Sequence, residues 1–252
     1  MNSKRVLSLL YVTLLFCVFC EGAQAETKVW IMWGQSNMFS GLPGELPEAY
    51  VTVPHNVEYW ASIKQGEAQS FTSFKKQELI GPEVGFAHTI AKQYFPDDSH
   101  LIIKVAVGAT DMSRWTRGGD LYSLLLQTVK TVVGNRDVRY MAVIGCQGEA
   151  DSNSVSKYLD YRPMMDSMMR GIRSELGDPY LMWGITLTNP PTKYAFEINA
   201  EQLRIVQTDV NARAISTIQI LKDPCGQGAE LHYTTMGQIE LGRRMAYSMV
   251  TH

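Results

Sequence analysis

The chain has 252 residues, of which 45% are hydrophobic, 19% charged and 10% aromatic. That composition excludes disordered, collagenous and disulfide-knot classes and is sufficient to bury a core. Lys+Arg number 23 against 25 Asp+Glu, so no basic excess exists to follow a phosphate backbone and no nucleic acid is expected as a partner.

The first residues read as an address. Lys4 and Arg5 precede an apolar run from Val6 to Cys20. The run is short for a membrane span, which needs about 20 residues, and suits a signal-peptide core. Ala23-Gln24-Ala25 places small residues ahead of a cut before Glu26. The expectation is a leader over 1–25 and one domain over 26–252. The protein is then secreted or periplasmic, with no stable membrane insertion after cleavage. Cys17 and Cys20 go with the leader, which leaves Cys146 and Cys225.

Thr27 to Trp33 is a short apolar run opening onto Gly34 and reads as a buried strand. The stretch 40–82 is rich in Gly, Pro and polar residues and reads as a long insertion. Glu83 to Tyr94 has helical spacing. Leu101 to Val107 is a second strand, ending at Gly108, and Leu121 to Val133 a second helix. Tyr140 to Ile144 is a third strand, ending at Gly145. Ser156 to Leu176 is a helix with Ser156 as its cap, and Met164, Met165, Met168 and Met169 read as its core fill. Tyr180 to Thr186 and Ala214 to Ile220 are further strands. Phe196 to Val210 and Thr234 to Val250 are further helices. Near-continuous apolar strands alternating with helices predict an α/β chain with a roughly five-stranded parallel sheet covered on both faces.

In such sheets, ligands bind beyond the carboxyl ends of the strands. Gln35-Ser36-Asn37 follows the first strand, Gly108 to Asp111 the second, and Cys146 to Asp151 the third. Glu230-Leu231-His232 lies beyond the fifth. A serine nucleophile needs a base in reach, and His232 is the candidate. His88 lies inside a helical pattern and reads as packing or surface. Backbone N–H groups of Ser36 and Gly108 and the side-chain amide of Gln147 provide three donors for an oxyanion. Singly, each residue has a plainer reading: Ser36 or Asn37 as a helix cap, Gly108 as a turn, His232 as structural. Their joint placement on one rim points to acyl transfer.

These blocks resemble the carbohydrate-esterase branch of the SGNH hydrolase superfamily, which includes sialate O-acetylesterase-like proteins and family 6 acetylxylan esterases. Gly34-Gln35-Ser36-Asn37-Met38 is similar to its first block. Gly81-Pro82-Glu83 with Gly85-Phe86-Ala87, Lys104-x-Ala106-x-Gly108 leading to Trp115, and Gln147-Gly148-Glu149-x-Asp151 are similar to its middle blocks. His232-Tyr233-Thr234-Thr235 with Leu241-Gly242-Arg243 resembles its histidine block. The resemblance implies a three-layer, flavodoxin-like α/β/α fold and removal of O-acetyl groups from carbohydrate. It implies Ser36 as nucleophile and His232 as base, with Ser36, Gly108 and Gln147 as oxyanion hole, and no metal or cofactor. Gln35, Asn37, Glu149 and Trp115 are the candidate substrate contacts, and Arg117 lies beside them.

The chain departs from the family where an Asp usually precedes the histidine by three residues, since Ala229 stands there. Glu230 is the first candidate for the triad carboxylate, with Asp223, Glu149 or a main-chain carbonyl as alternatives. Cys146 and Cys225 flank the site, either bridged or as two thiols. The expected function is a serine esterase on acetylated carbohydrate. The alternatives are an esterase or lipase on non-sugar esters, and a non-catalytic carbohydrate-binding protein on the same scaffold.

Overall fold

Four of the five apolar runs form strands in the computed structural model, which describes residues 26–39, 45–63, 65–76, 80–222 and 230–251, whereas the fifth run, Ala214 to Ile220, gives only its first two residues to a strand that begins at Ala212, and its remainder is loop. Residues 1–25, where a leader is expected, and Cys225, Asp223 and Ala229 lie outside the described residues. The strands are β1 (Thr27–Gly34), β2 (Val57–Ile63), β3 (Gln69–Phe71), β4 (His100–Ala106), β5 (Val138–Cys146), β6 (Met182–Thr186) and β7 (Ala212–Ile215). They make one seven-stranded sheet in the order β3-β2-β4-β1-β5-β6-β7, parallel except for β3. Without the β2–β3 edge, the parallel strands follow the flavodoxin order 2-1-3-4-5, whose ligand crevice lies between the first and third strands. Here those are β1 and β5.

The edge pair corrects the reading of 40–82 as a loop without strands. Val57–Ile63 alternates buried Val57, Tyr59 and Ala61 with exposed Glu58 and half-buried Trp60, so it shows no continuous apolar run. Three-residue β3 is too short to show any period.

The helices are α1 (Ser36–Phe39), α2 (Glu83–Thr89, continued by a π-turn over Ile90–Tyr94), α3 (Met112–Trp115) and α4 (Asp120–Val133). They continue with α5 (Val155–Leu176), α6 (Ala195–Thr208) and α7 (Thr235–Val250). Ser154, not Ser156, takes the N-cap position of α5. Successive side chains of β1 point to opposite faces. Val29, Ile31 and Trp33 pack with Leu125 of α4, Met165 and Met168 of α5 and Ile205 of α6. Trp30 and Met32 pack with Phe86 and Ile90 of α2 and Leu241 and Met245 of α7. Three layers result. Among the described residues no helix is long and apolar enough to cross a membrane.

Two glycines set the spacing of α2 and α7. A Cβ on Gly85 would fall 1.9 Å from the Ile239 carbonyl oxygen, and one on Gly242 would fall 1.9 Å from that of Pro82. The contact is reciprocal, so each helix backbone lies directly against the other. This gives the Gly-Phe-Ala and Leu-Gly-Arg blocks a structural reason: together they seat the helix that follows His232.

Candidate functional site

Register builds the site. Gly34 pairs with Ala106 on one side and Cys146 on the other, so three central strands end in line. The next residues, Gln35-Ser36, Val107-Gly108 and Gln147, therefore share one rim. Gln35 N–H donates to the Cys146 carbonyl at 3.0 Å and Val107 N–H to that of Gly34 at 2.9 Å. Gly34 has φ +148°, and a Cβ there would lie 2.1 Å from the Cys146 oxygen. Only glycine lets the chain turn from β1 into α1 at this point.

Ser36 opens α1 and is partly exposed. The first N–H groups of a helix have no acceptor within it, so the Ser36 N–H is available to a ligand. Gly108 is exposed, and a Cβ built on it would lie 4.0 Å from Ser36 Cβ. Its neighbour Ala109 holds a left-handed φ of 57°, unusual for a residue with a side chain.

Behind Gly108, Thr110 ties the loop down. Its hydroxyl donates to the Val107 carbonyl at 2.8 Å and accepts from Trp115 Nε1 at 2.9 Å. Trp115 is fully buried and packs on Trp33 with ring centroids 5.1 Å apart. This corrects the expectation that Trp115 contacts substrate: it offers no face to a ligand and supports Thr110 from the core.

Gln147 is buried behind the same loop. Its amide nitrogen donates to the Thr110 carbonyl at 3.2 Å and to Asp151 Oδ2 at 2.5 Å. Asp151 also accepts the Met112 N–H at 3.1 Å, starting α3. Burial pushes the Asp151 carboxyl up to about 6, against the hydrogen bonds from Gln147 and Met112. Sequence reasoning quoted Asp151 only as part of a block. Thr110 it missed, because a threonine two residues after a strand-end glycine carries no distinctive signal.

Gln35, Asn37 and Glu149 are buried too. Gln35 Oε1 accepts the Ala150 N–H at 3.3 Å. Asn37 Nδ2 donates to Glu149 Oε1 at 2.7 Å and to the Leu231 carbonyl at 3.1 Å. Burial raises the Glu149 carboxyl above its usual range. These three frame the rim from beneath rather than line it, which corrects their assignment as substrate contacts.

The loop that carries His232 meets the serine turn at Leu231, whose carbonyl accepts from Asn37. Tyr233 bridges to Lys222, and Thr234 N–H donates to the Leu221 carbonyl at 3.0 Å. Thr234 Oγ1 then caps α7 by accepting the Gly237 N–H at 3.1 Å. His232 is half-buried, and that desolvation lowers its pKa. Among the described residues no carboxylate hydrogen bonds to it. Glu230 is exposed with a left-handed φ of 65°, and its charge acts on Lys222. The structure thus brings Ser36 and Gly108 to one rim, keeps the Gln147 amide buried behind it on Thr110 and Asp151, and ties the residue before His232 to Asn37, without bringing Glu230 to the imidazole. Arg117 is exposed. Cys146 is a buried free thiol whose pKa is raised by burial.

A buried ion pair lies under α1. Lys104 Nζ is 2.7 Å from Glu83 Oε1, with both side chains almost wholly buried, and Nζ donates to the Phe39 carbonyl at 3.3 Å. Glu83 Oε1 also accepts the Gly81 N–H at 3.2 Å. The signal was present: a lysine inside the apolar run Leu101 to Val107 has to find a partner.

A sequence model described as "Carbohydrate esterase, sialic acid-specific acetylesterase" matches residues 26–251. A curated protein of Arabidopsis thaliana, named a probable carbohydrate esterase, is 23% identical over 175 residues. That match covers 69% of this chain, and the chain spans 64% of the relative's length. A solved Arabidopsis thaliana structure superposes with TM-score 0.72 at 18% identity, over 89% of this chain and 98% of that one. A carbohydrate acetylesterase from Xanthomonas citri gives TM-score 0.65 at 16% identity, over 87% and 55%. One from Sinorhizobium meliloti gives 0.56 at 11%, over 88% and 97%. At these identities the superpositions establish a shared fold.

Proposed function

The chain belongs to the sialic acid-specific acetylesterase family of carbohydrate esterases, and on that footing we propose that it is an exported serine esterase removing O-acetyl groups from carbohydrate. The observation that supports this reading is the common end of β4, β1 and β5, which sets Ser36 beside Gly108 with Gln147 directly behind them. Two of the superposing structures are described as carbohydrate acetylesterases, which supports the same class.

In this reading Ser36 Oγ attacks the acetyl carbonyl carbon while His232 takes the hydroxyl proton. The carbonyl oxygen becomes an oxyanion, held by the Ser36 and Gly108 N–H groups. Gln147 supplies a third donor by exchanging its longer bond to Thr110 for the oxyanion. The tetrahedral species expels the sugar oxygen, which takes the proton from His232. Water, deprotonated by His232, then cleaves the acetyl-enzyme to acetate and free Ser36. Glu230 is a carboxylate candidate only through its position before His232, and no step is routed through it. Export rests on the leader 1–25. N-terminal sequencing of exported protein is expected to begin at Glu26.

The test compares the whole protein with Ser36→Ala on p-nitrophenyl acetate, acetylated xylan and O-acetylated sialic acid. Wild type releases acetate from at least one acetylated sugar, and Ser36→Ala loses roughly 10⁴-fold or more in kcat. Turnover surviving in Ser36→Ala overturns the serine mechanism. Release from p-nitrophenyl acetate but from no acetylated glycan overturns the carbohydrate substrate.

A further inference from the structure

Three loops meet at one side-chain amide. Asn37 directly follows Ser36, Leu231 directly precedes His232, and Glu149 lies two residues beyond Gln147. Asn37 is 1% exposed, and its Nδ2 donates both to Glu149 Oε1 at 2.7 Å and to the Leu231 carbonyl at 3.1 Å. We infer that Asn37 is a positioning residue that couples the nucleophile turn to the histidine loop, and that Glu149 aims it. This rests on the serine-esterase reading and adds to it a reason for two buried polar groups that touch no substrate.

The chemistry selects asparagine. The joint needs two donors on one planar nitrogen, directed at two acceptors. Aspartate has the shape without the donors. Serine has one donor, and glutamine places its amide one methylene further out. Glu149 fixes the rotation of the Asn37 amide, because its carboxyl accepts one hydrogen and leaves the other for Leu231. Without that acceptor the amide is free to rotate away from the histidine loop. On the far side of His232 the loop is held by the buried Tyr233 ring, whereas before it Glu230 is exposed and Leu231 and His232 are only half-buried, so on this side the Asn37 amide is its described tie.

The joint acts on catalysis through the Ser36–His232 geometry, and a displacement of about 1 Å in a catalytic pair costs on the order of 100-fold. It does not act through sugar binding. Its loss therefore lowers kcat and leaves KM in place. Glu149 acts only through Asn37, so the two losses overlap rather than add. Glutamine at 149 keeps a carbonyl acceptor and restores the joint.

The experiment uses the full chain with p-nitrophenyl acetate and with diethyl p-nitrophenyl phosphate. The latter phosphorylates an activated serine: a Ser36 Oγ–P bond forms, p-nitrophenolate leaves, and the serine proton passes to solvent through His232. The expected result has four parts. Asn37→Ala and Glu149→Ala lower kcat and slow phosphorylation by roughly 10- to 100-fold, with KM within about twofold. Glu149→Gln stays within about threefold of wild type. Asn37→Ala/Glu149→Ala is no slower than Asn37→Ala alone. The melting temperature of Glu149→Gln matches that of wild type. If Asn37→Ala does not fold, Asn37→Asp takes its place, since it keeps the volume and removes both donors.

Phosphorylation of Asn37→Ala at the wild-type rate overturns the inference. So do additive losses in the double variant, or equal slowing in Glu149→Gln and Glu149→Ala. A wild-type protein that takes no phosphoryl label on Ser36, together with turnover in Ser36→Ala, overturns the serine reading instead. The two failures are therefore distinct.

Discussion

The Ser36 turn and the His232 loop are joined through Asn37 but are held in opposite ways. Ser36 sits on a turn fixed from every side. Gly34 is locked between two parallel strands, and Lys104 holds the last carbonyl of α1 from inside a buried ion pair. His232 sits on a half-open loop whose left-handed Glu230 is exposed, anchored at Leu231, at the buried Tyr233 and at Thr234. The difference teaches that the position of Ser36, the proposed nucleophile, is a property of the sheet, whereas that of His232, the proposed base, depends on a few hydrogen bonds and one buried ring. Such loops belong to the low end of local stability.

Substitutions should separate the two sides. His232→Gln removes the base and is expected to cost roughly 10⁴-fold or more in kcat. Because His232 itself is half-buried and its replacement leaves the buried Tyr233 ring in place, the urea midpoint should stay near that of wild type. A large fall in the midpoint would show that the loop is a structural element after all. Desolvation lowers the His232 pKa, and a general base must be neutral to act. The acid limb of kcat/KM should therefore lie below the ordinary imidazole value of about 6.5. A limb above it would require an ionised carboxylate against the ring.

On the serine side the expected loss is in stability. Lys104→Met leaves the Glu83 carboxylate buried without its cation, and breaking such a pair costs about 3–5 kcal/mol. Urea unfolding reads this directly. Activity per folded molecule should fall as well, since the Phe39 carbonyl at the end of α1 loses its donor. Gly242→Ala comes next. Its methyl would meet the Pro82 oxygen at 1.9 Å, so α2 and α7 must part, at a cost of about 1–3 kcal/mol. An unchanged urea midpoint would mean that the helix contact is looser than the clasp described above.

The same contrast explains what the sequence revealed. The central strands were legible because burial on both faces makes them continuous apolar runs, and Val29 to Trp33 and Leu101 to Val105 are of that kind. Ser36, Gly108 and Gln147 were legible as residues just beyond strand ends, whereas His232 stands on a loop well past β7. Strand β2 was not legible, since a strand next to the sheet's edge and buried on one face only mixes Glu58 with Trp60. Trp115 was misplaced because a tryptophan after a strand reads alike whether it faces a ligand or, as here, the core beneath Thr110. The partner of Lys104 was hidden because Glu83 lies 21 residues away on another layer. Asn37 and Glu149 were found as site residues but assigned to the wrong surface. Which way a polar side chain turns depends on its neighbours in space, and only the fold supplies those.

The smallest expected effect again sets one histidine against another. His88 lies in α2, buried between the rings of Tyr50 at 5.0 Å and Phe74 at 6.0 Å. Burial, assisted by the positive charge of Lys92, lowers its pKa to about 4. The unfolded value is about 6.5, so between the two pH values the unfolded chain binds the extra proton. The stability associated with neutral His88 is therefore complete above about 6.5 and is lost as pH falls toward 4. Protonation requires a charge in an aromatic pocket behind the serine side. His88→Phe removes the titration, and its urea midpoint should fall less than that of wild type between pH 7 and pH 5. The same comparison with His232→Gln should show a smaller change in slope, because His232 is half-open and its charged form keeps access to water. A steeper loss in wild type traced to His232 rather than His88 would reverse the ranking of the two regions and place the sensitive packing at the histidine loop.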